Sequence, residues 1–369
     1  MARPSLPGLV LCSLFLAAGC SDARQDAGHA PLSFQSIHEA FTTLDTIHLE
    51  QVPGDTIAEI GAVDISADGD IVIADRYLPR VRLYARDGRF VAGQGRFGDA
   101  PFEYRRIRAV ARDRSGRVVV LSLQAPRTTV LTPDLLPDTT IPLASGFIAP
   151  WLAQRFRGGV VQGLIGEEGR TWYSYQESLG TERWRIEAGP RKLYEVPYWA
   201  SVARFLTDSA GDTLLLGNSF LYPVGLYDAG GALVGELGSP PPSWRDVPEV
   251  EAGAFAFTGP SDMPGGALAE WLTSFTVIAG LHVVQDRWLV VSHGRVSTER
   301  LTPPFETVEY AVDMYDLGSG TKVLEDVPLP QGARVLGGGP YLHVLTAIPP
   351  QPWTVVRLDI LPEVRAAAS

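Results

Sequence analysis

The fold is decided by the run Gly69-Asp70-Ile71-Val72-Ile73-Ala74-Asp75, followed by Arg80-Val81-Arg82-Leu83-Tyr84 and then by Asp87-Gly88-Arg89-Phe90. These segments are apolar or alternating over the length of a short strand, and turn-forming residues separate them. A further strand pattern at 60–65 precedes the run. Four short strands joined by tight turns form one antiparallel sheet, so this region predicts a single blade of a β-propeller.

The same pattern recurs along the chain with decreasing regularity. Further copies lie at 107–143, 151–186, 201–237, 275–327 and 334–359, which makes six in all. The last copy has only three strands, and the alternating segment 46–52 is available to complete it. Pairing of the two chain ends removes exposed sheet edges. We therefore expect an all-β fold, a six-bladed β-propeller of four-stranded antiparallel blades that spans 44–365 and is closed by an N-terminal strand in the last blade.

Residues 58–123 resemble the NHL repeat. The resemblance rests on the three segments quoted above and on the run Gly95-Arg96-Phe97-Gly98-Asp99-Ala100-Pro101-Phe102-Glu103-Tyr104. Later blades depart from the repeat, because they lack its Asp and its Gly-rich closing turn. The resemblance implies a propeller similar to the envelope lipoproteins loosely called six-bladed β-propeller proteins.

The N-terminus has the pattern of a bacterial lipoprotein leader. A positive charge at Arg3 precedes an apolar run over 6–19, which is shorter than the roughly 20 residues that span a bilayer. The segment Leu16-Ala17-Ala18-Gly19-Cys20 resembles a lipobox, although Ala17 stands where leucine is usual. We predict a signal peptide over 1–19, with a lipidated Cys20 and a flexible tether over 20–43. The alternative is an ordinary secretory signal with a chance cysteine.

Composition narrows the location and the partners. Ser21 follows the predicted lipidated cysteine, and by resemblance the lack of Asp there favours the outer membrane, with membrane contact through the lipid anchor only. The net charge of −11 argues against nucleic acid as a partner. Both cysteines, Cys12 and Cys20, lie in the leader region, so the folded part has no thiol for a disulfide or a metal.

An enzymatic alternative follows from the propeller fold. Metal-dependent lactonases, streptogramin lyases and the peptide-amidating lyase have blades of this kind, and their sites need histidines or carboxylates from several blades. His282, His293 and His343 fall in the last two blades and are interpreted as structural residues. Asp75 is a weak metal candidate at the mouth of the channel, and a turn-capping role is the alternative. No cofactor is predicted, while a divalent cation in the channel remains open.

Two groups of side chains are candidates for binding. Arg76, Tyr77 and Arg80 lie in the first-blade turn, with Arg96 and Arg105 in the loop that crosses to the second blade. The second group consists of Trp244 and Trp271 in an insertion over 239–273, which is too long for an ordinary connection. Arginine and aromatic residues are enriched at binding hot spots, although packing of the aromatics between or outside the blades is the alternative.

These features favour binding over catalysis. We predict an envelope-anchored lipoprotein that acts as a non-catalytic ligand-binding or protein-binding module, because the sequence shows no convergent ligand set. The partner is expected to be an envelope protein, a peptide or a glycan. The alternative is a metal-dependent hydrolase or lyase, lactonase-like or amidating-lyase-like, with its site at the central channel.

Overall fold

The computed structural model describes residues 30–122, 127–143, 147–166, 171–187, 205–248, 270–271, 273–296, 307–347 and 353–367. Within these ranges, 24 strands form six four-stranded sheets, each with antiparallel neighbours. The protein is therefore a six-bladed β-propeller, as the sequence predicts.

The blades follow one another along the chain, and each begins with its inner strand. Blade 1 is β2(Ile60–Ile65), β3(Ile71–Asp75), β4(Val81–Tyr84) and β5(Phe90–Gln94). Blade 2 is β6(Ile107–Arg112), β7(Val118–Ser122), β8(Arg127–Leu131) and β9(Pro137–Pro142). Blade 3 is β10(Phe147–Phe156), β11(Gly159–Gly166), β12(Thr171–Ser178) and β13(Thr181–Glu187).

The second half of the ring has the same order. Blade 4 is β14(Phe205–Ala210), β15(Thr213–Asn218), β16(Leu221–Tyr227) and β17(Leu233–Leu237). Blade 5 is β18(Val277–Val284), β19(Trp288–Val296), β20(Thr307–Asp316) and β21(Lys322–Pro328). Blade 6 is β22(Arg334–Gly337), β23(Leu342–Ala347) and β24(Thr354–Ile360), completed by β1(Phe41–His48).

The closing strand lies where the fold requires it but begins earlier than predicted. β1 pairs with β24 from Phe41 opposite Ile360 to His48 opposite Thr354, instead of occupying 46–52. Residues assigned to the tether therefore belong to the folded part. Leu32 also forms a bridge with Leu324 of β21, and a short helix α1(Ile37–Ala40) leads into β1.

The cores lie between the blades, which explains the long apolar strands. Successive residues of β3 point to opposite faces of its sheet. Ile71 and Ile73 pack in the cluster shared with blade 6, while Val72 and Ala74 pack in the cluster shared with blade 2. Since both faces are covered, every residue of β3 is buried.

The fifth blade differs from the prediction in one respect. Its sequence predicts two separate strands at 275–279 and 281–284, whereas the structure has the single strand β18, which runs from Val277 to Val284. A register shift between Ile278 and Gly280 interrupts the pairing without ending the strand. The only other helix with described bounds is α2(Pro362–Ala366), after β24. No helix in the described ranges is long and apolar enough to cross a membrane.

Candidate functional site

The inner strands of the six blades surround a central channel. Residues of β2, β6, β10, β14, β18 and β22 border a cavity of about 450 Å³. Cavities of roughly 300–1,000 Å³ are typical of small-molecule sites. The channel is therefore the candidate ligand site of this fold.

The wall of the channel is polar and carries both charges. Its described charged residues are Arg76, Arg108, Arg112, Arg155 and Arg334, together with Asp64, Asp208, Asp286 and Glu309. Five arginines against four carboxylates leave one positive charge, whereas the whole chain carries −11. The channel is therefore much less acidic than the protein that surrounds it, which favours an anionic group in a ligand.

Several of these charges are already paired across blades. The Arg112 guanidinium lies 2.7 Å from the Asp64 carboxylate of the neighbouring blade. Arg334 donates a hydrogen bond of 2.6 Å to the carbonyl oxygen of Ile60. Arg155 differs, because it is exposed and its guanidinium makes no hydrogen bond or ion pair with the described residues. Of the channel arginines, it is the one most available to a ligand.

Asp208 joins three inner strands at the wall. Its Oδ2 accepts a hydrogen bond of 2.6 Å from the backbone N–H of Val283, and its Oδ1 accepts bonds from the Ser209 N–H and the Gln154 amide. Withdrawal from water raises the pKa of Asp208 to about 7, and the N–H donors limit that rise. This carboxyl therefore exchanges its proton near neutral pH.

The raised pKa of Asp208 predicts a pH dependence of stability. The folded protein keeps a proton that the unfolded chain releases near pH 4, so this group's contribution to stability is lost as pH rises towards 7. Asp208→Asn removes the effect and keeps one acceptor oxygen. One pKa unit corresponds to about 1.4 kcal/mol, but the Asp208 side chain borders the open channel and is only partly buried by surface area, so we expect about 2 kcal/mol.

The measurement compares unfolding free energies of the two proteins from pH 4.5 to pH 7.5. All other titrating groups are shared, so the difference between the curves isolates Asp208. The variant should gain stability relative to the original protein as pH rises. Parallel curves would show that Asp208 has an ordinary pKa.

His282 is another polar residue on the channel wall, and it is buried. Burial lowers the pKa of His282 to about 4, so the ring is neutral at physiological pH. Its Nε2 has no hydrogen-bond partner among the described residues. Gly280 makes room for the ring, since a Cβ there would lie 2.3 Å from Nε2. A buried, neutral nitrogen without a partner is suited to bind a polar atom of a ligand.

Asp75 does not lie on the channel wall. It ends β3, the second strand of blade 1, and is fully buried. Its oxygens accept hydrogen bonds from the N–H groups of Ala58, Tyr77 and Leu78 and from Arg82. The N–H bonds are those expected of a turn-capping aspartate, and Arg82 adds a buried ion pair to them.

The four arginines predicted to bind are brought together in blade 1, and all four are ion-paired. The loops 76–80 and 95–105 touch, because a Cβ on Gly95 would lie 2.8 Å from the Pro79 carbonyl oxygen. The pairs are Arg76 with Glu59, Arg80 with Asp55, Arg96 with Glu103, and Arg105 with Asp99. A hydrogen bond from Arg105 holds the pKa of Asp99 below its usual value. Tyr77 and Phe97 remain largely exposed beside these pairs.

The two predicted tryptophans lie elsewhere, at blades 4 and 5. The Trp244 ring packs edge-on against Tyr222 at 4.9 Å, and its Nε1 donates to Asp246. Trp271 packs against Phe275 at 5.0 Å. Both rings are half-buried, which agrees with the packing alternative. The sequence at 267–272 also predicts a short helix. Residues 249–269 and 272 of the insertion, and with them most of this helix, lie outside the described residues, as does Cys20.

Of the channel residues that matter here, Arg155 and Asp208 were not singled out from the sequence, and His282 was interpreted as a structural residue. Arg155, Asp208 and His282 come from three different inner strands. Only Arg155 lay in a predicted opening strand, 151–155, whereas Asp208 lay just beyond the predicted strand 201–206 and His282 in the second predicted strand of its blade. Asp208 and Val283 are 75 residues apart in the chain, so their contact is not visible in any local pattern.

Fold and channel define the protein as a six-bladed β-propeller with a polar, mixed-charge central channel. It is similar to the crystal structure of a Bacteroides fragilis protein inferred to be exported, with a TM-score of 0.59 at 11% identity, over 90% of this chain and 100% of that one. A DUF4221 family member from Bacteroides vulgatus gives a TM-score of 0.57 at 8% identity, over 87% and 98%. These likenesses establish the fold. No protein-family model and no curated protein matches the chain.

Proposed function

We propose that the protein is an envelope lipoprotein of the NHL-repeat type, anchored to the outer membrane through Cys20. Its propeller acts as a non-catalytic module that binds a ligand in the central channel. The observation that carries this proposal is the 450 Å³ cavity bordered by all six inner strands, where Thr207 Oγ1 and His282 Nε2 have no hydrogen-bond partner among the described residues. The leader and the inferred export of the Bacteroides fragilis propeller are compatible with an envelope location.

The charges of the channel favour a ligand with an anionic group. Among the described residues the exposed Arg155 guanidinium has no hydrogen-bond or ion-pair partner, although its charge also acts on Asp208. It can bind a carboxylate or phosphate through two parallel hydrogen bonds. His282 Nε2 and the Asp208 carboxyl, which exchanges its proton near neutral pH, offer further polar contacts. A peptide, a glycan fragment or a terminus of an envelope protein can supply such an anionic group.

The enzymatic alternative has no specific observation in its favour at the channel. Within the ranges that the structure describes, one group of residues has the spacing of a metal site, His293 with Asp313 and Asp326. None of these three borders the channel. Binding therefore remains the function that the channel supports best.

Substitution of Arg155 tests the proposal. We expect Arg155→Gln to weaken binding of an anionic ligand about tenfold to hundredfold, because a hydrogen bond to a charged group contributes roughly 1.5–3 kcal/mol. Binding is measured by calorimetry and thermal shift with dipeptides, hexuronic acids and phosphate as probes. The matched control is Arg183→Gln, which removes an exposed arginine of the outer strand in the same blade. The proposal fails if no anionic probe binds, or if Arg155→Gln and Arg183→Gln bind equally well.

A further inference from the structure

A second polar site lies away from the channel, where blade 5 meets blade 4. His293 of β19, Asp313 of β20 and Asp326 of β21 place one ligand atom each within 4.8 Å of one another. His293 and Asp313 are fully buried, and the Asp326 side chain is 25% exposed. One side of the cluster is thus open to solvent, while three adjacent strands form the other.

The distances fit coordination better than they fit hydrogen bonding. His293 Nε2 lies 3.6 Å from Asp313 Oδ1 and 3.5 Å from Asp326 Oδ1, both beyond an ordinary hydrogen bond. Ligand atoms that surround a tetrahedral metal at about 2.1 Å are about 3.4 Å apart. One nitrogen and two carboxylate oxygens are a ligand set that Zn²⁺ accepts.

His293 is the group that most needs an explanation. Its ring is completely buried, and neither ring nitrogen has a hydrogen-bond partner among the described residues. An unpaired buried polar group is costly. Nε2 is aimed between the two carboxylates, so a cation bound there would satisfy it. The sequence alone gave no reason to separate His293 from an ordinary structural histidine.

The net charge of the cluster also favours a bound cation. Asp313, Asp326 and Glu325 bring three negative charges, and Lys322 brings one positive charge through contacts with Asp313 and Glu325. Two negative charges remain when His293 is neutral. A divalent cation would neutralise them, and buried charges are tolerated only when they are compensated.

The surrounding hydrogen bonds hold the carboxylates in place. Asp313 Oδ2 accepts from the Tyr222 hydroxyl at 3.3 Å, and Asp313 Oδ1 accepts from the Asp326 N–H at 2.8 Å. Asp326 accepts from the Ser243 hydroxyl at 2.5 Å and from the Ser243 N–H at 3.2 Å. Such second contacts orient metal ligands in known sites. Ser243 belongs to the start of the 239–273 insertion, so the cluster ties the insertion to blade 5.

We propose that His293, Asp313 and Asp326 form a binding site for a divalent transition-metal ion of the Zn²⁺ class. The fourth position, on the side where Asp326 is exposed, is filled by water. The site fastens the base of the insertion to blade 5. It is independent of the channel and of the ligand proposed for it.

The test uses the full chain and Zn²⁺ as the probe. Purified protein is stripped with EDTA, and its binding of Zn²⁺ is then followed by calorimetry, elemental analysis and thermal melting. We expect about one Zn²⁺ per chain and a rise in Tm of at least about 3 °C on binding. With Co²⁺ in place of Zn²⁺, visible absorption bands should report nitrogen and oxygen coordination.

Three variants locate the site. His293→Asn and Asp326→Asn should each weaken Zn²⁺ binding by at least about 100-fold. Asp326→Asn acts at the exposed side, so it tests the site even if His293→Asn disturbs folding. His48→Asn makes the same change at a histidine of the closing strand and should bind as the original protein does. The proposal is overturned if the original protein neither binds Zn²⁺ nor changes Tm with it, or if both ligand variants bind normally.

Discussion

Replacement of Arg82 by methionine is expected to lower the free energy of unfolding by about 3–5 kcal/mol, because it leaves the buried Asp75 carboxylate without its cation and takes one of two arginines away from Asp55. Arg82 lies in β4 and is completely buried. Its Nε donates to Asp55 at 2.8 Å, one Nη donates to Asp75 at 3.2 Å, and the other donates to the Thr56 carbonyl oxygen at 2.6 Å. Methionine has a similar length but satisfies none of these acceptors.

The effect should reach beyond blade 1. Asp75 caps the turn that follows β3, and Asp55 lies in the segment that leads from the closing strand into β2. Arg82 therefore connects the ring closure to the first blade. Chemical denaturation should show the loss of stability, and Tm should fall by about 5 °C or more.

Arg96→Met is the matched control for Arg82→Met. Arg96 pairs with Glu103 at 2.6 Å, but its side chain is 80% exposed. Exposed pairs contribute about 0–1 kcal/mol, so this variant should be close to the original protein. If Arg82→Met and Arg96→Met lowered the free energy of unfolding equally, the buried charge network would contribute no more to stability than an exposed ion pair.

The sequence predicted the propeller because the blade pattern is local. In blade 1, tight turns follow short strands, and both faces of β3 are apolar since both are covered. The first and last residues of the closing strand were harder to predict from the sequence. Leu44 is 45% exposed, and the register shifts between Thr43 and Asp45, so the alternation is broken just where β1 begins.

The functional residues were harder to predict because they meet across blades. Arg155, Asp208 and His282 acquire their roles from positions on the channel wall, which no local spacing encodes. The metal-site proposal shows the same limit: His293, Asp313 and Asp326 lie on three strands and are brought together by pairing within blade 5. For Asp75, by contrast, the sequence also indicated a turn-capping role. That role could be read locally, because the N–H groups that Asp75 binds lie two and three residues away in the chain.

Removal of the closing strand is expected to have the largest effect of all. β1 is the outer strand of blade 6 and pairs with β24 along seven residues of each strand. Its loss would expose the full edge of β24 and uncover the apolar cluster that contains Ile47. An unpaired edge of this kind promotes aggregation. We expect a deletion of residues 21–48 to reduce the yield of soluble monomer roughly tenfold or more.

Two further variants distinguish the effect of losing the ring closure from the effect of merely shortening the chain. A deletion of residues 21–29 removes only the first part of the predicted tether and should leave Tm and the monomer yield unchanged. Ile47→Asp keeps the full length but places a charge in the core between blades 6 and 1, where Ile47 is 3% exposed. Size-exclusion chromatography and thermal melting are the measurements. If the ring opens at the last blade, Ile47→Asp should lower Tm and the yield of soluble monomer as the deletion of residues 21–48 does. A soluble, stable monomer from that deletion would show that the other blades hold the ring closed without β1.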